Sequence, residues 1–558
     1  MDAPQTARQA LALAERGDDA GASDLFDRGL ALFPDDARFA NSAGNFHAKA
    51  GRNERALALF SQALAAMPSL DEAAINAAIV LQRLGRTREA VQLLAAREAH
   101  STNSARYWTV RADAERASGD LVAANYGYDR AIALGQASAK AWAGKARVAL
   151  ECGNDDAVVI HEEALAQNPG NADLFHDYAQ ALFVAGRTDE ALECSRALTE
   201  QLPGWVPGLV LHAELRWAAT GQHDFADHFA NAAAQGPGGR VTLAWANTLC
   251  GVDRHEDAAD VLARARRSGD GDPALALAEA IARDEAGDTG GAAAIFDTFA
   301  TLESLDWLTA RARHAIRSGD PGGASAMLDR ALASHSSDVT AWALRDLCWR
   351  LLGDDRHYWL HGREGLVREL ALPLEPAEFT AIRECLLSLH ARTAMPIGQS
   401  VKQGSQTKGA LFARREPELA RLKQAIEAVL EEYRAALPAP EGGHPLLSLR
   451  NAAWAITGSW SIRLDGQGRH APHIHPRGLL SSACYFEVPD EVSAPGRPGW
   501  LELGRPPAGL ADELGPIHTI EPRPGHCALF PSTLFHGTRP ITKGRRMTVA
   551  FDVTTAGG

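Results

Sequence analysis

Cysteine and long apolar runs are both scarce in this chain of 558 residues. Its seven cysteines are dispersed and include no CxxC pair, which argues against a disulfide framework and against a thiolate zinc site. No stretch approaches the roughly 18 uninterrupted apolar residues of a membrane span. The first residues also lack the basic start, apolar core and cleavage site of a secretory signal. We therefore expect a cytoplasmic protein with reduced thiols and no membrane partner.

An excess of positive charge is also absent. The chain has 56 lysines and arginines against 70 aspartates and glutamates, a formal net charge of −14. Because nucleic-acid-binding proteins carry a basic electrostatic footprint, we expect no nucleic acid partner. Hydrophobic residues make up 46% of the chain and charged residues 23%, which is typical of globular domains and not of disordered or fibrous chains.

Glycine recurs with a regular period through the first 350 residues. The first five members of the series are 34 residues apart and the later ones drift: Gly17, Gly51, Gly85, Gly119, Gly153, Gly186, Gly221, Gly251, Gly287, Gly319 and Gly353. Alanine follows most of them after five residues, at Ala22, Ala56, Ala90, Ala124, Ala191, Ala226, Ala292 and Ala324. A glycine that closes one helix, and a small residue that lets the next helix pack closely, predict a repeated helix–turn–helix unit.

This pattern resembles the tetratricopeptide repeat, whose period is about 34 residues. The resemblance covers roughly residues 3–355, or about ten units, and implies an all-α solenoid over residues 1–355. Such arrays stack into a superhelix with a concave groove. The groove either binds a protein or peptide partner, which we favour because the array is long, or the array is only a spacer or support for the next domain.

The periodicity ends near Gly353, and residues 356–447 are expected to form a helical bridge. Apolar spacing predicts helices within residues 354–394 and over residues 418–437. Between them, the polar segment 395–412 is rich in glycine and serine, which predicts a loop.

From residue 448 the pattern changes to short alternating runs that are separated by loops rich in proline and glycine. Many short strands without intervening helices predict a sandwich or a double-sheet barrel. We therefore expect the sheet to begin near Ser448 and a third part, the catalytic core, to cover residues 448–558.

Histidines cluster near the start of this β region. His473 and His475 are two residues apart, so on a strand both side chains point to one side. His536 follows 61 residues after His475. Two close ligands and one distant ligand are typical of a facial metal triad on a β scaffold, with positions open for substrate and O₂. His470 lies three residues before His473 across a proline, and we expect it to contact the substrate or a ligand side chain rather than the metal.

An arginine and a hydroxyl follow the last histidine at a regular distance. Arg546 comes ten residues after His536, and Thr548 shares its face on a strand. In a cavity, an arginine binds a carboxylate through two parallel hydrogen bonds, and a neighbouring hydroxyl adds a third. Arg463 is a weaker alternative anchor. Tyr485 is either a further hydrogen-bonding group for the same anion or an ordinary strand aromatic.

Together these motifs resemble the iron(II)- and 2-oxoglutarate-dependent oxygenases, whose pattern is His-x-Asp/Glu, a distant His, and then Arg-x-Ser/Thr about ten residues later. The resemblance is closest to a bacterial branch in which tetratricopeptide repeats precede the oxygenase domain. It rests on the segments 398–407, 458–464, 470–489, 524–540 and 545–553.

The resemblance implies an α+β multidomain chain whose carboxy-terminal part is a double-stranded β-helix, or jelly roll, with flanking helices. It implies Fe(II), 2-oxoglutarate and O₂, and a hydroxylation coupled to formation of succinate and CO₂. The implied metal ligands are His473, His475 and His536. The implied 2-oxoglutarate-binding residues are Arg546, Thr548 and Tyr485.

One residue departs from the family pattern, because His475 stands where the family has a carboxylate. Either His475 ligates the metal and gives a three-histidine site, or His473 and His536 bind it together with water or a more distant group. Two rival functions remain open. One is a three-histidine metal dioxygenase that does not use 2-oxoglutarate, and the other is a non-enzymatic repeat scaffold with a degenerate oxygenase domain.

Overall fold

The computed structural model describes residues 2–101, 103–135, 138–234, 239–267, 272–390, 397–398 and 400–555. The chain divides into two compact units, residues 1–177 and 178–558. The described part of the first unit is helical, and the second unit contains helices followed by two β-sheets. Within the described residues, no helix has both the length and the apolar content needed to cross a bilayer.

The helices of the first unit alternate with short turns. Their bounds are α1 Ala3–Glu15, α2 Asp19–Leu32, α3 Ala37–Lys49, α4 Asn53–Ala66, α5 Asp71–Arg83, α6 Thr87–Ala95, α7 Glu98–Ser101, α8 Ala105–Ala117, α9 Leu121–Ala133, α10 Ala139–Glu151, α11 Ala157–Gln167 and α12 Ala172–Val184, which continues past residue 177.

The same alternation continues in the second unit. Its next ten helices are α13 Thr188–Gln201, α14 Val206–Thr220, α15 His228–Ala234, α16 Gly239–Cys250, α17 His255–Arg267, α18 Pro273–Glu285, α19 Thr289–Thr298, α20 Leu305–Arg317, α21 Pro321–Ser334 and α22 Val339–Leu352. Two more helices, α23 Pro376–Leu389 and α24 Pro417–Ala436, lie between the repeats and the main β region.

The glycine and alanine series have the predicted structural roles. All the predicted helix-closing glycines except Gly251 have a positive φ, between 62° and 88°, which glycine adopts without steric cost. The eight alanines of the second series are at most 2% exposed, so each lies where two helices approach closely. Aspartate side chains cap many of the following helices by accepting a backbone N–H, as Asp18, Asp120 and Asp320 do.

Gly251 belongs to the series by spacing but has a different role. The positive φ in its turn, 63°, is at Asp253. A Cβ added to Gly251 would lie 2.6 Å from a methyl carbon of Ile397 and 2.9 Å from the backbone nitrogen of Gly398. Gly398 donates its N–H to the carbonyl of Gly251 at 2.9 Å. Here the glycine permits a close approach between a repeat turn and the segment that leads into the β domain.

In the described part of the chain, nine strands form two antiparallel sheets. They are β1 Arg368–Ala371, β2 Val401–Gln406, β3 Trp454–His470, β4 Leu480–Glu487, β5 Leu501–Leu503, β6 His518–Ile520, β7 His526–Pro531, β8 His536–Thr538 and β9 Arg545–Thr555. The large sheet has the order β1-β7-β4-β9-β3-β2 and the small sheet has the order β6-β5-β8. The predicted α+β organisation, repeats followed by a double-sheet β domain with flanking helices, is confirmed.

Two strands lie upstream of Ser448, so the predicted start of the sheet was wrong. β1 falls in a segment predicted to be helical, and its one buried residue, Leu370, is opposite Cys527 of β7. β2 falls in the predicted loop and pairs with β3. Only Val401 and Ser405 of β2 are buried, so this edge strand has no alternating apolar pattern to reveal it. Residues 391–396 and 399 of the predicted helix and loop lie outside the described residues.

Alternation along β9 divides the β domain into two sides. One set of side chains joins α23 and α24 in the largest apolar core: Met547, Val549, Phe551 and Val553. The other set lines a cavity: Arg546, Thr548, Ala550 and Asp552. Because strand side chains alternate strictly, packing one set against the helices directs the polar set into the cavity.

A buried histidine beneath the large sheet predicts sensitivity to acid. His390 is 2% exposed, and its ring is hydrogen-bonded to Ser405 and Ser461. Burial, with a smaller effect of Arg463, lowers its pKa from 6.5 to about 4. The unfolded chain therefore binds a proton that the folded chain does not, and stability is lost as the pH falls from 6.5 to 4. This residue alone should account for about 3 kcal/mol of that loss.

The measurement is the free energy of urea unfolding between pH 7 and pH 4. His390→Gln should flatten this pH profile, whereas the exposed-site control His335→Gln should retain the wild-type slope. Equal slopes in the two variants would contradict the assignment.

Candidate metal centre and anion site

Two of the predicted ligands are held together by the backbone. His473 follows β3 and His536 begins β8 in the small sheet. The N–H of His473 donates to the carbonyl of His536 at 3.0 Å, and the N–H of His536 donates to the carbonyl of His473 at 2.9 Å. Such a reciprocal antiparallel pair fixes both residues relative to each other, and their ring centroids lie 4.2 Å apart.

Hydrogen bonds show that Nδ1 carries a proton in all three imidazole rings. The Nδ1 atoms of His473 and His536 lie 2.8 and 3.1 Å from the backbone carbonyls of Ala471 and Leu534. Nδ1 of His475 is hydrogen-bonded to the carboxylate of Asp552. Carbonyl and carboxylate oxygens only accept hydrogen bonds, so each Nδ1 carries a proton. In the neutral form of such a ring, Nε2 has the lone pair that binds a metal, and Nε2 of His473 also lies 3.3 Å from the hydroxyl of Ser400.

These ring nitrogens converge in a way that suits a cation. One ligand atom from each of His473, His475 and His536 lies within 4.8 Å of the other two. The Nε2 atoms of His473 and His475 are 3.2 Å apart. A proton on one of the two nitrogens or a cation bound by both would stabilise this approach, and imidazole suits divalent iron, zinc, copper and nickel.

Burial keeps the imidazoles in the form that binds metal. Burial, with a smaller effect of His475, lowers the pKa of His473 to about 4. The pKa of His536 is lowered well below its usual value, again first by burial and then by the neighbouring histidines. Both rings are therefore neutral near pH 7, so a metal does not have to compete with a proton for them.

Arg546 is a buried cation that no carboxylate among the described residues pairs with. Its side chain is 2% exposed, and Nε has no hydrogen-bond partner in the described part of the chain. Burial lowers its pKa, and Tyr485 is the group that opposes this shift. The guanidinium carbon lies 5.3 Å from the centroid of the Tyr485 ring, and the Tyr485 hydroxyl also lacks a described partner. An unpaired charge in such a place costs free energy that a bound anion would offset.

One cavity contains both the histidine cluster and Arg546. Its volume is about 790 Å³, within the range of small-molecule sites. The lining residues come from both sheets, which places the cavity between them. They include Ile462, Ser482, Phe530, Arg546 and Thr548 of the large sheet, and Leu501, His536, Gly537 and Thr538 of the small sheet. The predicted metal ligands and the predicted anion-binding pair Arg546 and Thr548 therefore share one chamber.

The remaining candidates from the sequence divide between the cavity and the surface. His470 lines the cavity, and its ring centroid lies 6.0 Å from that of His473, outside the group of converging nitrogens. Arg463 is paired with Asp465 at 3.0 Å and does not line the cavity. Arg545 is exposed and paired with Glu487 at 3.0 Å. Among these arginines, Arg546 alone faces the histidines.

Sequence reasoning missed two contributors to the site. Asp552 lies six residues after Arg546 on β9, and extending the alternation of that strand would have placed it in the cavity. The other is the end of α16 with the turn after it, where Asn247 of the helix and Gly251 and Asp253 of the turn line the same cavity. The sequence of that repeat does not distinguish its turn from the other repeat turns. In the structure, Lys402 of β2 pairs with Asp253 of this turn at 2.6 Å.

The last repeats pack directly against the segments that carry the ligands. Leu344, Leu347 and Cys348 of α22 share an apolar cluster with Phe535, and Ile474 packs against that cluster. Ile474 separates His473 from His475, and Phe535 precedes His536. The terminal repeat helix is therefore part of the structure that positions the imidazoles.

Polar contacts reinforce this packing. The guanidinium of Arg350 on α22 donates to the carbonyls of Gly504 and Gly515, each at 2.5 Å. The buried ring of His361 bridges Asp346 of α22 at 3.0 Å and the hydroxyl of Thr533 at 2.9 Å. Thr533 lies in the turn that leads to β8, so the connection again reaches the strand that carries His536.

Family models match segments of both the repeat region and the β domain. The family model described as "Putative 2OG-Fe(II) oxygenase" matches residues 458–552, a segment that contains all three histidines and Arg546. Two tetratricopeptide-repeat models match residues 47–114 and 154–207, and residues 8–71. The chain joins tetratricopeptide repeats to a domain of the 2OG-Fe(II) oxygenase type.

Individual relatives cover only parts of the chain. Protein FlbA of Caulobacter vibrioides is 27% identical over 209 residues, which are 36% of this chain and 35% of FlbA. The chain thus spans about a third of the length of this curated relative. Among solved structures, a tetratricopeptide repeat protein of Parabacteroides merdae is 17% identical with a TM-score of 0.36, over 42% of this chain and 93% of that one. A thermophilic repeat protein of Thermus thermophilus is 23% identical with a TM-score of 0.28, over 32% and 99% of the two chains.

The histidine cluster predicts that a divalent metal will stabilise the folded protein. Anaerobic iron(II) at about 100 times its dissociation constant should raise the free energy of unfolding by about 2.7 kcal/mol, because only the folded chain brings the ligands together. Thermal unfolding with and without iron(II) measures the effect. His473→Ala and His536→Ala should abolish it, whereas His526→Ala, on β7 outside the cluster, should retain it. A wild-type protein that neither iron(II) nor manganese(II) stabilises would refute the site.

The packing of α22 predicts a coupling between repeat stability and metal affinity. Leu347 and Leu94 are both fully buried, Leu347 beside the ligand segments and Leu94 in α6 of the first unit. Each change to alanine should cost about 2–5 kcal/mol of stability. Only Leu347→Ala should also weaken iron(II) binding several-fold, as measured by anaerobic titration of folded protein. Equal iron(II) affinities in the two variants would show that the repeat does not position the ligands.

Proposed function

We propose that this protein is an iron(II)- and 2-oxoglutarate-dependent dioxygenase, of the hydroxylase type, that acts in the cytoplasm. The observation that carries the proposal is the presence, in one cavity, of three converging imidazole nitrogens and a buried arginine that no described carboxylate pairs with. Iron(II) in the cluster would supply the activation of O₂ that leads to oxidation of the cosubstrate and of the substrate.

In this proposal, the protein's own residues bind and orient. His473, His475 and His536 hold the metal from one side, which leaves other positions open. The guanidinium of Arg546, with the hydroxyls of Thr548 and Tyr485, binds the carboxylate of 2-oxoglutarate that is remote from its keto acid. Leu501 and Phe530 provide apolar walls, which exclude water and strengthen these charged contacts.

The unpartnered arginine favours this function over both rivals. In a three-histidine dioxygenase that does not use 2-oxoglutarate, a buried cation has a role only if the substrate is itself an anion. In a scaffold with a degenerate site, a buried and unpaired guanidinium would be only a cost to stability. Three imidazoles whose ring nitrogens converge in one cavity likewise support a metal site.

A protein or peptide substrate is the class that the repeat array favours. Tetratricopeptide repeats commonly bind protein segments, and the end of α16 with the turn after it contributes Asn247, Gly251 and Asp253 to the cavity wall. A chain segment bound along the second-unit repeats would therefore have a direct path to the metal. Mass spectrometry of a proteome treated with wild-type protein or with His536→Ala would reveal peptides that gain one oxygen atom only with the active protein.

The decisive experiment is an anaerobic iron(II) titration with and without 2-oxoglutarate, followed by visible absorption. A keto acid chelated to iron(II) should produce a charge-transfer band, and admission of O₂ should release succinate. His536→Ala should abolish both signals. Arg546→Ala should raise the 2-oxoglutarate concentration needed for half-saturation about 100-fold, since it removes charge-assisted hydrogen bonds of roughly 3 kcal/mol in total.

The matched control is Arg545→Ala, which removes the neighbouring arginine that pairs with Glu487 and should leave half-saturation unchanged. Tight iron(II) binding without the band would favour the three-histidine rival. Absence of iron binding would favour the scaffold.

A further inference from the structure

The three imidazoles of the cluster differ in the group that accepts their Nδ1 proton. For His473 and His536 the acceptor is a neutral peptide carbonyl. For His475 it is the carboxylate of Asp552. The cluster is thus electrically asymmetric, although its three ligands are chemically identical.

The position of Asp552 on β9 directs its carboxylate to the ring of His475. Asp552 is on the cavity side of β9, on the face that also carries Arg546 and Thr548. Among the described ion pairs it is matched with His475 and with neither a lysine nor an arginine. The ring of Trp460 packs beside His475 with centroids 5.5 Å apart, so the imidazole is held between an indole and a carboxylate.

We infer that Asp552 is a positioning residue that supplies, through His475, the negative charge that a centre of three neutral histidines lacks. The inference rests on the proposed iron site. A carboxylate that accepts the Nδ1 proton fixes the ring orientation and directs the Nε2 lone pair to the metal. It also draws the proton towards itself, which makes Nε2 a stronger electron donor. His475 thereby acquires part of the character of an anionic ligand, although no oxygen atom of Asp552 contacts the metal.

Two substitutions separate the charge from the hydrogen bond. Asp552→Asn keeps an oxygen acceptor of the same shape but removes the charge, and Asp552→Ala removes both. Each should weaken iron(II) binding about 10- to 100-fold, the range for loss of a carboxylate behind a ligating histidine. Affinity is measured by anaerobic iron(II) titration of folded protein, with circular dichroism and thermal unfolding as checks of the fold.

The charge-transfer band with 2-oxoglutarate gives a second readout. Weaker donation from His475 makes iron(II) less electron-rich, so the band of Asp552→Asn should move to higher energy. A purely structural role for Asp552 would not move it. The matched control is Asp465→Asn, which removes a carboxylate from the same domain that is paired with Arg463 and should leave both affinity and band unchanged.

A double-mutant cycle tests whether the effect passes through His475. Asp552→Asn should lower iron(II) affinity in the wild-type background but not in a His475→Ala background, where the ring that Asp552 orients is gone. An equal loss in both backgrounds would overturn the inference, as would wild-type affinity and an unshifted band in folded Asp552→Asn.

These outcomes are distinct from failure of the proposed function. If wild-type protein binds neither iron(II) nor 2-oxoglutarate, the proposed function itself is wrong. If it binds both and Asp552→Asn matches it, only the role of Asp552 is wrong.

Discussion

Two backbone hydrogen bonds between His473 and His536 are the constraint on which the site depends. They join the segment after β3, in the large sheet, to the first residue of β8, in the small sheet. Residues separated by more than sixty positions in sequence are thereby held with a geometry that their side chains alone could not maintain. The two bonded residues also line the same cavity as the polar face of β9.

Two groups in the cavity lining suit charged ligands. Among the described residues no carboxylate pairs with the buried Arg546, and Nε2 of His473 lies 3.2 Å from Nε2 of His475. The apolar packing of β9 against α23 and α24 holds Arg546 in place, and the packing of α22 against Ile474 holds the segment that carries the two histidines. An anion would pair with Arg546, and a cation would bind the histidine nitrogens. One molecule that is anionic and chelates a metal would pair with Arg546 and bind the metal that the histidines hold.

The sequence predicted the features that follow from local periodicity. The glycine series located the repeat turns because every member except Gly251 has the left-handed conformation that closes a helix. Alternation placed Arg546 and Thr548 together, opposite Val549 and Phe551. Features that depend on distant partners were not predictable. β2 is an edge strand whose polar residues read as a loop, and Gly251 matched its series although its role is to admit Gly398. Asp552 lay within reach of the alternation argument, but its partner His475 is 77 residues away in sequence.

The contact between α22 and the ligand segments has a consequence for how such a chain can change over evolutionary time. Repeat arrays lengthen and shorten by duplication and loss of whole units, because each unit contacts mainly its neighbours. In this chain that freedom is unequal. Loss of the last repeat would strip apolar cover from Ile474 and Phe535, next to the residues that carry the metal site. The last helices of the array are therefore expected to be inherited together with the oxygenase domain.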